Sequence, residues 1–87
     1  MNTIYWTQKA TKQLLKVGQK SDRAAITNAV KKLTSWPNCT GDIKRLQART
    51  DYRLRVGNYR VIFAIDQENQ PVIVQINQVE KRDERTY

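Results

Sequence analysis

Three arginines stand at short spacing in the stretch DYRLRVGNYR, residues 51–60: Arg53, Arg55 and Arg60. A guanidinium is planar, permanently charged and able to donate paired hydrogen bonds, which suits it to phosphate oxygens. Held together on one rigid surface, the three would make a preformed anion site for the backbone of a nucleic acid. Solvated arginines that splay apart are the plainer reading of the same residues. What positions them decides between the two.

Gly57-Asn58 lies between two alternating runs and reads as a two-residue hairpin turn, with Gly57 at the first central position of a type II′ turn, where positive φ is needed. That turn sets Val56 opposite Tyr59, Arg55 opposite Arg60, Leu54 opposite Val61 and Arg53 opposite Ile62. Strand side chains alternate, so Tyr52, Leu54, Val56, Tyr59, Val61, Phe63 and Ile65 share an apolar face that must pack on helices. The arginines share the other, open face. Like charges directly opposed cost up to about 1 kcal/mol, and nothing on the opposing hairpin strand compensates them.

The helices are legible upstream. Thr3–Trp6 is aromatic and β-branched and predicts a first strand. Thr7 is a candidate N-cap for a helix over Gln8–Val17, with Gly18 as its stop and Lys9, Lys12 and Lys16 as a basic stripe. Asp22 is a candidate cap for a second helix whose Ile26, Ala29, Val30 and Leu33 fall at amphipathic spacing; Pro37 ends it after Trp36. Both tryptophans are expected in the core or at its rim. After the turn-rich PNCTGD come a short strand near Ile43–Gln47 and strands over Tyr52–Val56, Tyr59–Asp66 and Val72–Val79. The prediction is one α+β domain over residues 1–87: an N-terminal strand, a two-helix hairpin, then a three- to four-stranded antiparallel meander.

Charge points to an anionic partner. Sixteen Lys and Arg against eight Asp and Glu leave +8 on 87 residues, a surplus that favours nucleic acid, an acidic protein or anionic lipid. The apolar runs Val61–Ile65 and Val72–Val74 are too short to cross a bilayer, and no leader is apparent, so no membrane role is expected. A single cysteine, Cys39, fits a reducing cytoplasm. With no histidine and one cysteine, neither a metal nor any other cofactor is expected.

The run DYRLRVGNYRVIFAID, followed by a last strand and the basic tail VEKRDERTY, resembles the RelE/ParE superfamily of toxins from type II toxin–antitoxin pairs, most closely its RelE-like branch. The resemblance is strongest over residues 51–66 and extends by element order to nearly the whole chain. It implies a RelE-like fold related to microbial ribonucleases, a cognate antitoxin protein, and cleavage of mRNA in the ribosomal A site. It also implies a catalytic set formed by Arg53, Arg55, Arg60, Arg82 and Tyr87. Well-studied RelE toxins carry lysines at the first two of these positions.

Attack of a 2′-hydroxyl on the adjacent phosphate needs a base, positive charge for the phosphorane-like transition state, and an acid for the leaving oxygen. Arginine supplies the charge but is a poor proton carrier. Tyr87 is the first candidate for proton transfer, with base stacking as its rival role; Lys81, Glu80 and Glu84 are weaker ones. Lys9, Lys12, Lys16, Lys44, Arg45, Arg49 and Lys81 are read as contacts to mRNA and 16S rRNA that position without reading sequence. A solvated basic helix face explains the helical lysines equally. The competing functions are a non-enzymatic inhibitor of DNA gyrase, as in the ParE branch, and a nucleic-acid-binding module without activity.

Overall fold

A computed structural model describes residues 2–46, 51–68 and 71–81. Strand β1 (Thr3–Trp6) leads into helix α1 (Gln8–Leu15) and helix α2 (Lys20–Lys31), which tightens into a 3₁₀ turn over Lys32–Ser35. Strands β2 (Asp42–Arg45), β3 (Tyr52–Val56), β4 (Tyr59–Asp66) and β5 (Ile73–Lys81) follow. The four form the predicted meander, and β1 closes it by pairing parallel to β5, giving one sheet in the order β1-β5-β4-β3-β2.

Local chemistry explains most boundaries. Thr7 caps α1 as expected, its hydroxyl accepting from the Ala10 amide at 3.1 Å. The helix stops at Leu15, two residues short of expectation, because the Lys16 and Val17 amides turn back to Gln13 and Leu14 in a tight last turn. Asp22 is not the cap of α2. The helix starts at Lys20 behind Gln19, and Asp22 occupies its first turn, where a carboxylate meets the positive end of the helix dipole. Regular α-helix ends at Lys31, and the 3₁₀ turn carries the chain to Trp36.

The hairpin has the register set by its turn: Gly57 takes φ +56°, Arg55 pairs with Arg60 and Arg53 with Ile62. Leu54, Val61 and Phe63 are buried against Ala10, Ile26, Val30 and Leu33 from the helical layer. Trp36 packs edge-on to Tyr52 and Phe63, with centroids 4.8 and 5.7 Å away, and Trp6 also lies against the core. The Val79 amide donates to the Gln13 side chain at 2.8 Å, which ties α1 to β5.

One irregularity re-aims the end of β5. Ile62 pairs with Gln78 but Phe63 pairs with Ile76, so β5 carries an extra residue, Asn77, at a β-bulge. The bulge shifts the phase of β5. Val74, Ile76 and Val79 all face the helices, and Glu80 faces away.

Phe63 is fully buried at the centre of this packing. Phe63→Ala is expected to cost about 3–5 kcal/mol, read as a lowered midpoint in urea unfolding with unchanged slope; a loss below about 1 kcal/mol would contradict the core described.

Candidate nucleic-acid interface

Register places the hairpin arginines on the side of the sheet away from α1 and α2. Across four strands, one row reads Asp42, Arg55, Arg60, Glu80, and the next reads Lys44, Arg53, Ile62, Gln78. Pairing of β2 brings Asp42 beside Arg55, with Oδ2 3.6 Å from the Arg55 guanidinium and Oδ1 3.3 Å from that of Arg53. At the other end, Arg60 Nε donates to Glu80 Oε2 at 3.0 Å. The like-charged pair Arg55–Arg60 is thus bracketed by carboxylates. The opposing hairpin strand offers no compensation, as expected; the carboxylates come from β2 and β5 outside the hairpin.

The face is also less open than expected. Arg55 and Arg60 side chains are 40% and 35% exposed, but Arg53 only 13%. Its Nε is buried without a hydrogen-bond partner, and its neighbour Ile62 is 5% exposed although it lies outside the helix-side core. A guanidinium so far from water needs a carboxylate nearby, and Asp42 provides it. Arg55 and Arg60 are therefore the more exposed pair of the three, and Arg53 lies largely covered.

The other sequence-chosen residues divide between the two sides. Lys44 pairs with Arg53 and joins the arginine face, whereas Arg45 pairs with Tyr52 and faces the helical side at the sheet edge. Lys81 pairs with Tyr59, also on the helical side. There it lines a shallow groove of 260 Å³ with Gln13, Lys16, Val17, Tyr59 and Val79. Lys9, Lys12 and Lys16 follow one another along α1 beside it. Arg49, Arg82 and Tyr87 lie outside the described residues.

Much of the net charge sits on the helical layer, where Lys9, Lys12, Lys16, Lys20, Lys31 and Lys32 are exposed and Asp22 is the acidic residue of the two helices. On the far side, the row Asp42, Arg55, Arg60, Glu80 is a balanced ionic strip. Of its acidic members, Asp42 escaped sequence reasoning and Glu80 entered only as a weaker candidate for proton transfer, though two signals were present: Asp42 alternates with Lys44, and the phase of β5 breaks between Ile76 and Val79. Burial raises the Cys39 thiol above its usual range, which disfavours the thiolate and any nucleophilic role. Among the described residues, no three His, Cys, Asp or Glu side chains cluster as a metal site would require.

A small sheet backed by two helices, with paired arginines on its far side, defines the α+β scaffold. The family model for the ParE toxin of type II toxin–antitoxin systems, parDE, matches residues 4–83, and the chain belongs to that family. Among solved structures it is similar to a chain of the toxin–antitoxin complex RelBE2 from Mycobacterium tuberculosis, at 27% identity over 92% of this chain and 96% of that one, TM-score 0.73. The RelE–RelB complex from Pyrococcus horikoshii matches at 19% identity, covering 95% and 97%, TM-score 0.77. The YoeB/ParE toxin from Agrobacterium tumefaciens matches at 10% identity, covering 93% and 99%, TM-score 0.76. The last two likenesses concern the fold. No curated protein matches the sequence.

Asp42 is 54% exposed, so its ion pairs are worth about 0–1 kcal/mol each. Asp42→Asn should therefore lower stability by no more than about 2 kcal/mol while raising the salt needed to elute the protein from heparin. An unchanged elution position would show that the strip does not meet polyanions.

Proposed function

We propose that the chain is the toxin of a type II pair acting as a ribosome-dependent endoribonuclease that cleaves mRNA in the A site and so stops translation. One observation carries this reading: Arg55 and Arg60 are directly opposed on adjacent strands, half-exposed, and aimed away from the helices, with carboxylates on both flanks. Opposed guanidiniums suit an oxyanion that gains charge in the transition state. In this mechanism Arg55 and Arg60 take the phosphate, and Arg53 holds the strand beneath them. Arg82 and Tyr87 join the site from the tail as the family resemblance implies. No step requires a metal ion. Lys9, Lys12, Lys16 and Lys81 form a basic flank for the phosphates of 16S rRNA. Ribosomes place the work in the cytoplasm, and among the described residues no helix is long and apolar enough to cross a membrane.

The same exposed lysines suit an acidic segment of a cognate antitoxin, whose charge complementarity would speed capture. Solved relatives from Mycobacterium and Pyrococcus are themselves toxin–antitoxin complexes.

A second reading, inhibition of DNA gyrase without catalysis, is favoured by two observations. The matching family model is that of ParE, and Asp42 and Glu80 offset part of the charge of the arginine face. Mapping mRNA 5′ ends shortly after induction separates the two. In-frame breaks within codons are expected, and Arg60→Ala or Tyr87→Ala should reduce them about 10²–10³-fold with the fold intact by circular dichroism. Early chromosome breaks with intact mRNA would establish the gyrase reading instead.

A further inference from the structure

The RNA-cleaving reading leaves the proton acceptor unassigned, and the β5 bulge supplies a candidate. Strict alternation from Val74 through Ile76 would turn Glu80 towards the helices. The extra residue Asn77 reverses the phase, so Glu80 stands beside Arg60 on the arginine face. Bulges commonly re-aim a side chain next to a site of action.

The two carboxylates of the strip are not equivalent. Asp42 has one oxygen on Arg53 and the other on Arg55, so both are engaged. Glu80 is held through Oε2 by Arg60 Nε at 3.0 Å, and among the described residues its Oε1 has no hydrogen-bond partner. It is 35% exposed, and so within reach of a substrate. One oxygen orients the group and the other is available.

Resting on the nuclease reading, we infer that Glu80 is the general base that accepts the 2′-hydroxyl proton of the RNA. Oε1 takes the proton as the 2′-oxygen bonds to phosphorus. Charge builds on the non-bridging oxygens opposite Arg55 and Arg60. The bond from phosphorus to the 5′-oxygen breaks, and that oxygen takes a proton from water. The products are a 2′,3′-cyclic phosphate and a 5′-hydroxyl, and Glu80 returns its proton to solvent. Arginines and lysines cannot fill this role at neutral pH because they are protonated.

Among the described residues, the charged groups around Glu80 are few. On its own face, β4 contributes Arg60, and β3 contributes Arg55 one strand beyond. Lys81 on β5 and Lys16 on α1 belong to the opposite side of the sheet. Gln78, the next residue of β5 on the arginine face, is uncharged.

The test is single-turnover cleavage of a defined mRNA on purified ribosomes at neutral pH. Glu80→Gln keeps an oxygen acceptor for Arg60 Nε, and should cut about 10²–10⁴-fold more slowly at unchanged ribosome affinity. Glu80→Asp should keep part of the rate, and Glu68→Gln should match wild type. Cleavage by Glu80→Gln at the wild-type rate would overturn the assignment and leave the nuclease reading standing. Wild-type protein that leaves ribosome-bound mRNA whole would overturn both.

Discussion

Register along β4 is the constraint on which the rest of the molecule depends. This strand pairs on both sides, with β3 through the Gly57 turn and with β5 through the bulge. Its Val61 and Phe63 are core residues on one face, and Arg60 belongs to the ionic strip on the other. A slip of one residue would exchange the faces, burying Arg60 under the helices and exposing Phe63. Burial of that aromatic is worth several kcal/mol, far more than any ion pair on the strip. The core therefore sets the register, and the register sets the site.

The strip is held passively as a consequence. Its ion pairs are half-exposed and add little to stability, but they orient guanidiniums that would otherwise repel. The opposed pair Arg55–Arg60 is tolerable because Asp42 and Glu80 stand at its ends. A ligand that takes those guanidiniums must compete with two carboxylates already in place. Such competition suits a site that meets charge developing during a reaction better than one that grips a standing polyanion. The exposed lysines of the helices, which carry few acidic neighbours, suit the second task.

Two surfaces of different character therefore emerge from one charge excess. The helical side, with Lys9, Lys12, Lys16 and the groove to Lys81, offers long-range attraction and positioning. The far side offers a small number of aligned groups. The sheet between them keeps the surfaces apart, so substitutions on one should leave the other undisturbed.

The sequence by itself determined the element order, the hairpin register and the sharing of one face by Arg53, Arg55 and Arg60. All three follow from local rules: a glycine that accepts positive φ, side chains that alternate, and apolar spacing in the helices. Tertiary structure alone decided which carboxylates meet the arginines, how deeply Arg53 is buried, and that Lys81 and Lys44 fall on opposite sides. Those outcomes depend on which strands become neighbours and on the one-residue bulge at Asn77. Pairing over long separations is fixed by the collective packing of the core, and no short stretch of residues encodes it.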